Sequence, residues 1–387
     1  PSFRNRNFMT SQSTTTRYVR LCTMIGAAIG MVAGAGAQEK PRGRLLFFGV
    51  AYDEAPGPGL TIDNFNYAPD NFTTLFAAQS KDLFREMRAV TAKGDRATYG
   101  AVAAMLQALR QAARRDDVVF LYWGTHGGTD SRGWSANLPG DGHVLGSEIK
   151  AALALVPCPV IVAISTCGSG GFARPTGDAV DLPRNVAAFC ACRRRQSTGN
   201  QLDVALLEAL AGFGDSDGNG RVTLGEVVAY VPKRYRRLLH DAEGADVQPV
   251  IAHGADISLD VPLTKTSESG AAAVFDGAWY GAMIQQETAA GTKVRFLGYD
   301  STSKNGGFAF PDALVPHDHL DRLGGLPPIE VESEGKWYPA TPLSQRSKGW
   351  KIHYVGYPTS DDEVVPPKRM RFPFVGGAEA LRAARTE

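Results

Sequence analysis

Across 387 residues, 41 lysines and arginines stand against 40 aspartates and glutamates, a balance that predicts no nucleic-acid partner and no polyanionic one. A hydrophobic share of 43% with 21% charged residues is that of a folded globular chain, long enough for two or three domains. The 43 glycines and 23 prolines predict many turns.

The first predicted element is an export signal. Arg17 and Arg20 precede the apolar run LCTMIGAAIGMVAGAGA, which ends in the A-x-A site Ala35-Gly36-Ala37. Cleavage after Ala37 predicts a secreted or periplasmic protein beginning at Gln38. The run is too short and glycine-rich for a good membrane span, and no later segment is apolar enough to make one. Cys22 leaves with the signal. Cys158, Cys167, Cys190 and Cys192 are too few and too unevenly spaced for a disulfide framework, so all but Cys167 read as small core residues.

From Arg44 to about Val261 the pattern alternates. RLLFFGV (44–50), DVVFLYWG (117–124), PVIVAIST (159–166) and NVAAFCAC (185–192) are short apolar runs that predict buried strands. TYGAVAAMLQALRQAAR (98–114), SEIKAALALV (147–156, with Ser147 as cap) and QLDVALLEALAGF (201–213) have helical spacing. Strands that are apolar throughout, separated by amphipathic helices, predict an α/β fold: a mostly parallel sheet with helices on both faces.

Two strand ends carry the chemistry. FLYWGTHGG (120–128) delivers His126 into a glycine loop, and VAISTCGSGGF (162–172) delivers Cys167 into another. Ligands of open parallel sheets bind beyond the carboxyl ends of the strands. There an imidazole can take a thiol proton and later protonate a leaving amine. Glycines let the backbone approach a substrate, and the Gly127 and Cys167 amides are the candidate oxyanion donors. A lone histidine or cysteine at a strand end is most often structural; two of them, each followed by glycine, favour catalysis.

This motif pair resembles that of the caspase and metacaspase superfamily (clan CD, with the legumains among its relatives), over residues from Arg44 to about Val261. The resemblance implies a caspase-like fold and a cysteine endopeptidase with His126 and Cys167 as its dyad, acting on polypeptides. It also implies cleavage after one charged or amide P1 side chain. Ser165 stands where metacaspases carry an acid that binds a basic P1 residue, so a basic preference is not supported at that position. Asp70, in YAPDNF, is the substitute candidate for the substrate pocket.

DSDGNGRVTLGE (215–226) fits an EF-hand loop: Asp215, Asp217 and Asn219 at positions 1, 3 and 5, Gly220 at the turn, the Arg221 carbonyl at 7, Thr223 at 9 and Glu226 at 12. It is a calcium candidate, with a polar turn that never meets the ion as the alternative. No organic cofactor is expected.

Beyond about Thr264 two segments repeat each other. Gly277, Trp279, Tyr280, Phe296, Gly298 and Tyr299 match Gly335, Trp337, Tyr338, Tyr354, Gly356 and Tyr357. Each unit is aromatic and strand-forming, so each predicts a small β-barrel. G-x-W-Y-x-A and V-x-Y-x-G-Y resemble the Tudor and agenet group of SH3-like modules. In that group aromatic cages hold methylated side chains, which makes Trp337, Tyr354 and Tyr357 a candidate cage; barrel cores account for the same residues. The predicted organisation is signal 1–37, peptidase domain 38–262, repeats 263–325 and 326–375, and a tail 376–387. The repeats are expected to bind substrate, a protein or a surface, and to be separable from cleavage of small peptides. The competing reading is an inactive caspase-like scaffold acting through its barrels.

Overall fold

The computed structural model describes residues 42–52, 68–140, 142–199, 201–240, 246–266, 269–275, 277–297, 312–323 and 326–383. The predicted export signal, with Cys22, lies outside these residues, as do Gly298 and Tyr299.

In chain order the first part holds β1 (Arg42–Tyr52), α1 (Ala68–Gln79), β2 (Phe84–Lys93), α2 (Tyr99–Ala112), β3 (Val118–Thr125), β4 (Gly127–Asp130), β5 (Gly133–Leu138) and β6 (Gly142–Leu145). It continues through α3 (Gly146–Leu153), β7 (Val160–Ser165), α4 (Gly170–Ala173), β8 (Val186–Cys190), α5 (Gln201–Glu208), β9 (Arg221–Thr223), α6 (Leu224–His240), β10 (Val250–His253) and β11 (Pro262–Lys265). Six strands form one sheet in the order β10-β8-β7-β3-β1-β2. All neighbours pair in parallel except β10, which runs antiparallel to β8.

The side-chain period of two sorts each apolar strand onto two cores. Phe47, Phe120 and Tyr122 pack with Phe72 and Phe76 of α1 and with α5 and α6. Leu46, Phe48, Leu121 and Trp123 pack with α2 and α3 on the other face. This is a mostly parallel sheet covered by helices on both sides, which is why its inner strands read as unbroken apolar runs.

Several elements differ from the sequence reading. Strand β2, FREMRAVTAK, is a solvated edge, and its charges hide it from a search for apolar runs. The three-stranded sheet β4-β5-β6 grows directly out of the His126 loop. Ser147 lies inside α3 instead of capping it; the Glu148 carboxylate takes the Leu145 amide at 2.8 Å. The helix from Gln201 loosens after Glu208 into a π-type turn, where the Gly214 amide reaches the Ala209 carbonyl.

The second part consists of antiparallel sheets. β12 (Gly270–Phe275), β13 (Ala278–Thr288), β14 (Gly291–Phe296), β15 (Ala313–Val315) and β16 (Leu320–Arg322) are ordered β15-β14-β13-β12-β16. β17 (Ile329–Ser333), β18 (Lys336–Arg346), β19 (Gly349–Tyr354), β20 (Glu363–Val365) and β21 (Met370–Arg371) repeat that order. Both sheets place a bulge at the same point, Ile284/Gln286 in one and Pro342/Ser344 in the other. Residues 377–383, expected as part of a tail, form helix α7, whose Leu381 joins the core of the second sheet.

A buried ion pair joins the two parts. Arg234 of α6 meets Glu208 of α5 at 2.6 Å. Glu208 also accepts the Gly281 amide of β13, while Arg234 donates to the Pro373 carbonyl and lies over the Phe374 ring.

Candidate functional site

β3 and β7 are parallel neighbours, with Gly124 opposite Ser165. Two residues further on, the chains carry His126 and Cys167. The two-residue period runs through Tyr122 and Gly124 towards His126, and through Ala163 and Ser165 towards Cys167, so both leave the sheet at one rim. Both residues are half-buried. Burial lowers the His126 pKa, because the imidazolium loses solvation. The other described thiols are buried: Cys158 and Cys190 are pushed up to about 12 and Cys192 is raised, all chiefly by desolvation. Cys167 is thus the one described thiol that reaches solvent.

The two loops touch. Asn137 donates its amide to the His126 carbonyl at 2.8 Å, so the next pair across β4 and β5, Gly127 with Ala136, falls at a non-hydrogen-bonded position. The Gly127 amide therefore points away from β5. On that side lies the Cys167 loop: the Thr129 hydroxyl donates to the Gly168 carbonyl at 2.7 Å. Gly168 is required there, since its φ is +64° and a Cβ would lie 3.0 Å from the Thr129 nitrogen. The Gly168 and Gly170 amides are held by the Gln196 and Cys192 carbonyls at 2.9 and 2.8 Å. The Cys167 amide meets no acceptor among the described residues. Trp134 donates to the Thr166 hydroxyl at 2.8 Å and fixes the start of this loop.

Ser165 is buried, and its hydroxyl donates to the Asp203 carboxylate at 3.2 Å. Asp70, the pocket candidate, lies in the first turn of α1. It pairs with Lys93 at 2.6 Å at the end of β2, two strands away from β3. Asp203 is the acid beneath the rim, and the sequence reading passed over it. The signal was present: one acid among Leu202, Val204 and Ala205, in a helix buried from Leu202 to Glu208.

Between α5 and α6, carboxylate oxygens of Asp215, Asp217 and Glu226 lie within 4.8 Å of one another. The Asn219 and Gly220 amides donate to Asp215 at 3.1 and 2.9 Å, and Gly220 has φ +80°. Asn219 Oδ1 accepts the Arg221 amide, and the Thr223 hydroxyl donates to Glu226. The Thr266 hydroxyl donates to Asp215 at 2.7 Å, which ties this loop to the segment entering the first antiparallel sheet. These three carboxylates are grouped closely enough to hold a metal ion.

In the second antiparallel sheet the rings of Tyr338, Tyr354 and Tyr357 lie 6.0–6.2 Å apart, steeply inclined to one another. Trp337 is not among them. It lies under Arg371, 4.6 Å from its ring centroid. Register decides this: Ala340 faces Tyr354, so Tyr338 shares their face and Trp337 takes the other.

No family model matches the chain, and no curated protein matches it. Among solved structures, protein GSU0716 from Geobacter sulfurreducens is 16% identical over 59% of this chain and 100% of its own, with a TM-score of 0.40. The Drosophila initiator caspase Dronc is 13% identical over 64% of this chain and 96% of its own, with a TM-score of 0.39. Both likenesses are loose.

Proposed function

We propose that this chain is a cysteine endopeptidase of the caspase-like kind, with His126 and Cys167 as its dyad. One observation carries the reading: two adjacent parallel strands, with Gly124 opposite Ser165, release an imidazole and a thiol at the same rim. The lowered His126 pKa favours a neutral imidazole at neutral pH, the form able to take the Cys167 proton. The thiolate then attacks the scissile carbonyl. The Gly127 amide, turned away from β5, and the Cys167 amide, without an acceptor among the described residues, are the donors proposed for the oxyanion of the tetrahedral intermediate. His126 returns its proton to the departing amine, and water hydrolyses the thioester.

Asp215, Asp217, Asn219, Glu226 and the Arg221 carbonyl would hold calcium, with Thr223 beside them. When bound, the ion neutralises the acidic cluster and braces the junction of α5, α6 and β11. The antiparallel repeats are read as SH3-like modules of the Tudor kind, the second offering Tyr338, Tyr354 and Tyr357 to a protein or surface ligand. Tyr357, exposed beside the half-buried Tyr338 and Tyr354, and Ser165 in place of an acid favour the second reading, an inactive scaffold. Replacing Cys167 or His126 by alanine separates the two. Turnover of a peptide library lost in both variants, with unfolding unchanged, fits the peptidase. A wild-type protein that cleaves nothing and whose Cys167 reacts with iodoacetamide no faster than a free cysteine fits the scaffold.

A further inference from the structure

Asp203 lies in the first turn of α5 with its carboxylate wholly enclosed. Its Oδ2 accepts two hydrogen bonds, from the Tyr122 hydroxyl at 3.0 Å and the Ser165 hydroxyl at 3.2 Å. Its Oδ1 has no hydrogen-bond partner among the described residues. The titratable groups facing it are Tyr122 from β3 and Tyr235 from α6, and no cation among the described residues offsets its charge. Burial pushes its carboxyl up to about 7. The surrounding helix is apolar, and a buried carboxylate without a cation is costly.

What the carboxylate does is span two strands. Tyr122 stands four residues before His126 on β3, and Ser165 two residues before Cys167 on β7. Gly124, opposite Ser165, leaves the gap that the Tyr122 hydroxyl fills; a Cβ there would lie 2.5 Å from that oxygen. One carboxylate thus gathers both strands just below the points where they release the candidate dyad.

We infer that Asp203 is a positioning residue that clamps the ends of β3 and β7 through Tyr122 and Ser165, and so sets the placement of Cys167 against His126. Its catalytic consequence rests on the peptidase reading. The clamp is tightest with the charged carboxylate, whose Oδ2 accepts a hydrogen bond from each hydroxyl. A proton on Oδ1, which has no partner among the described residues, leaves Oδ2 a neutral carbonyl oxygen, a weaker acceptor for both hydroxyls. The clamp therefore loosens as pH falls through the range in which Asp203 gains its proton.

The test uses the full chain and its Asp203→Asn, Ser165→Ala and Tyr122→Phe variants. Alkylation of Cys167 by iodoacetamide, followed by peptide mass, is measured alongside peptide turnover from about pH 5.5 to 8.5. At the alkaline end, Asp203→Asn should slow both rates at least about tenfold. It should also erase the limb near neutral pH expected of the wild type. Ser165→Ala and Tyr122→Phe should slow both rates while keeping that limb, because Asp203 is intact. A folded Asp203→Asn with unchanged rates and pH profile overturns the clamp. If that variant fails to fold, unchanged rates in both hydroxyl variants overturn it instead. A wild type that cleaves no peptide, yet whose Cys167 alkylation follows this pattern, sinks the peptidase reading and leaves the clamp standing.

Discussion

The two antiparallel repeats share strand order, bulge position and the glycine turn at Gly277 and Gly335, yet they face different tasks. Trp279 of the first is buried and donates to the Ile329 carbonyl at 3.0 Å, joining the repeats; its counterpart Trp337 is 37% exposed. Gly281 gives its amide to Glu208, and a Cβ there would come within 2.5 Å of that side chain. Its counterpart is Pro339, which has no amide to give. Across the edge of the first sheet Ala272 faces Asp321, whereas in the second Glu330 faces Arg371 and pairs with it at 2.5 Å. One backbone plan thus serves in the first repeat as a base whose β13 meets Glu208 of the α/β part, while the second reaches that part through Pro373 and Phe374, beyond its last strand. The difference lies in side chains at matched positions.

The harshest way to break this contrast is to remove the repeats. Sequence alone suggested that residues 264–387 are separable from peptide cleavage. The structure argues otherwise, because Val204 of α5 packs into the core of the first sheet and Glu208 and Arg234 are enclosed by Gly281, Pro373 and Phe374. The truncated chain is expected to lose cooperative unfolding and all turnover. A truncation that still unfolds cooperatively would show the base to be dispensable. Within the intact chain, Glu208→Ala leaves Arg234 enclosed without its carboxylate and should cost roughly 3–5 kcal/mol in denaturant unfolding. Glu330→Ala, whose partner Arg371 is partly exposed, should cost about 1 kcal/mol or less. Trp279→Ala should cost about 3 kcal/mol through its lost burial, against under about 1 kcal/mol for Trp337→Ala.

The sequence made the repeat visible but not its division of labour, for physical reasons. Matching residues report a shared backbone. Which of Trp337 and Tyr338 meets Tyr354 depends on cross-strand register, and a slip of one residue exchanges the faces. The parallel strands were legible because burial on both faces leaves an unbroken apolar run, and those runs carried His126 and Cys167 to one rim. The solvated edge strand β2 has no such run. Asp203 and Glu208 were written in the sequence as acids inside LDVALLEAL, but their partners Tyr122, Ser165, Arg234 and Gly281 come from distant segments that only the fold assembles.

The mismatched edge pair gives the next prediction. With Ala272 opposite it and no partner for one of its oxygens among the described residues, Asp321 is pushed by desolvation up to about 7 from its ordinary 3.8. A carboxyl raised in the folded state favours folding fully only below its unfolded pKa, and that contribution drains away as pH climbs towards the folded value. Asp321→Asn should therefore unfold like the wild type near pH 4 and gain about 2–4 kcal/mol over it at pH 8. A constant difference across that range would mean that Asp321 does not titrate as its burial implies.

The smallest effect tests the shared backbone itself. Pairing of Phe275 with Ala278, and of Ser333 with Lys336, leaves a two-residue turn in each repeat. In the second, Glu334 has φ +52° and Gly335 φ +76°, the two positive values of a type I′ hairpin turn. The sequence of the first repeat has Asp-Gly at this turn, a pair that tolerates such values. Glu334 is the one described non-glycine residue with positive φ, and glutamate has no short side chain to ease it. Glu334→Asn should raise stability by about 0.5 kcal/mol, while Gly335→Ala should lower it by about 1 kcal/mol through backbone strain alone, since a Cβ there meets nothing. Gly277→Ala should cost the same as Gly335→Ala, because its φ is +75° and its surroundings are equally open. Unequal costs would mean that the two hairpins, alike in register, are held by different turns, and that the contrast between the repeats begins in the backbone and not in the side chains.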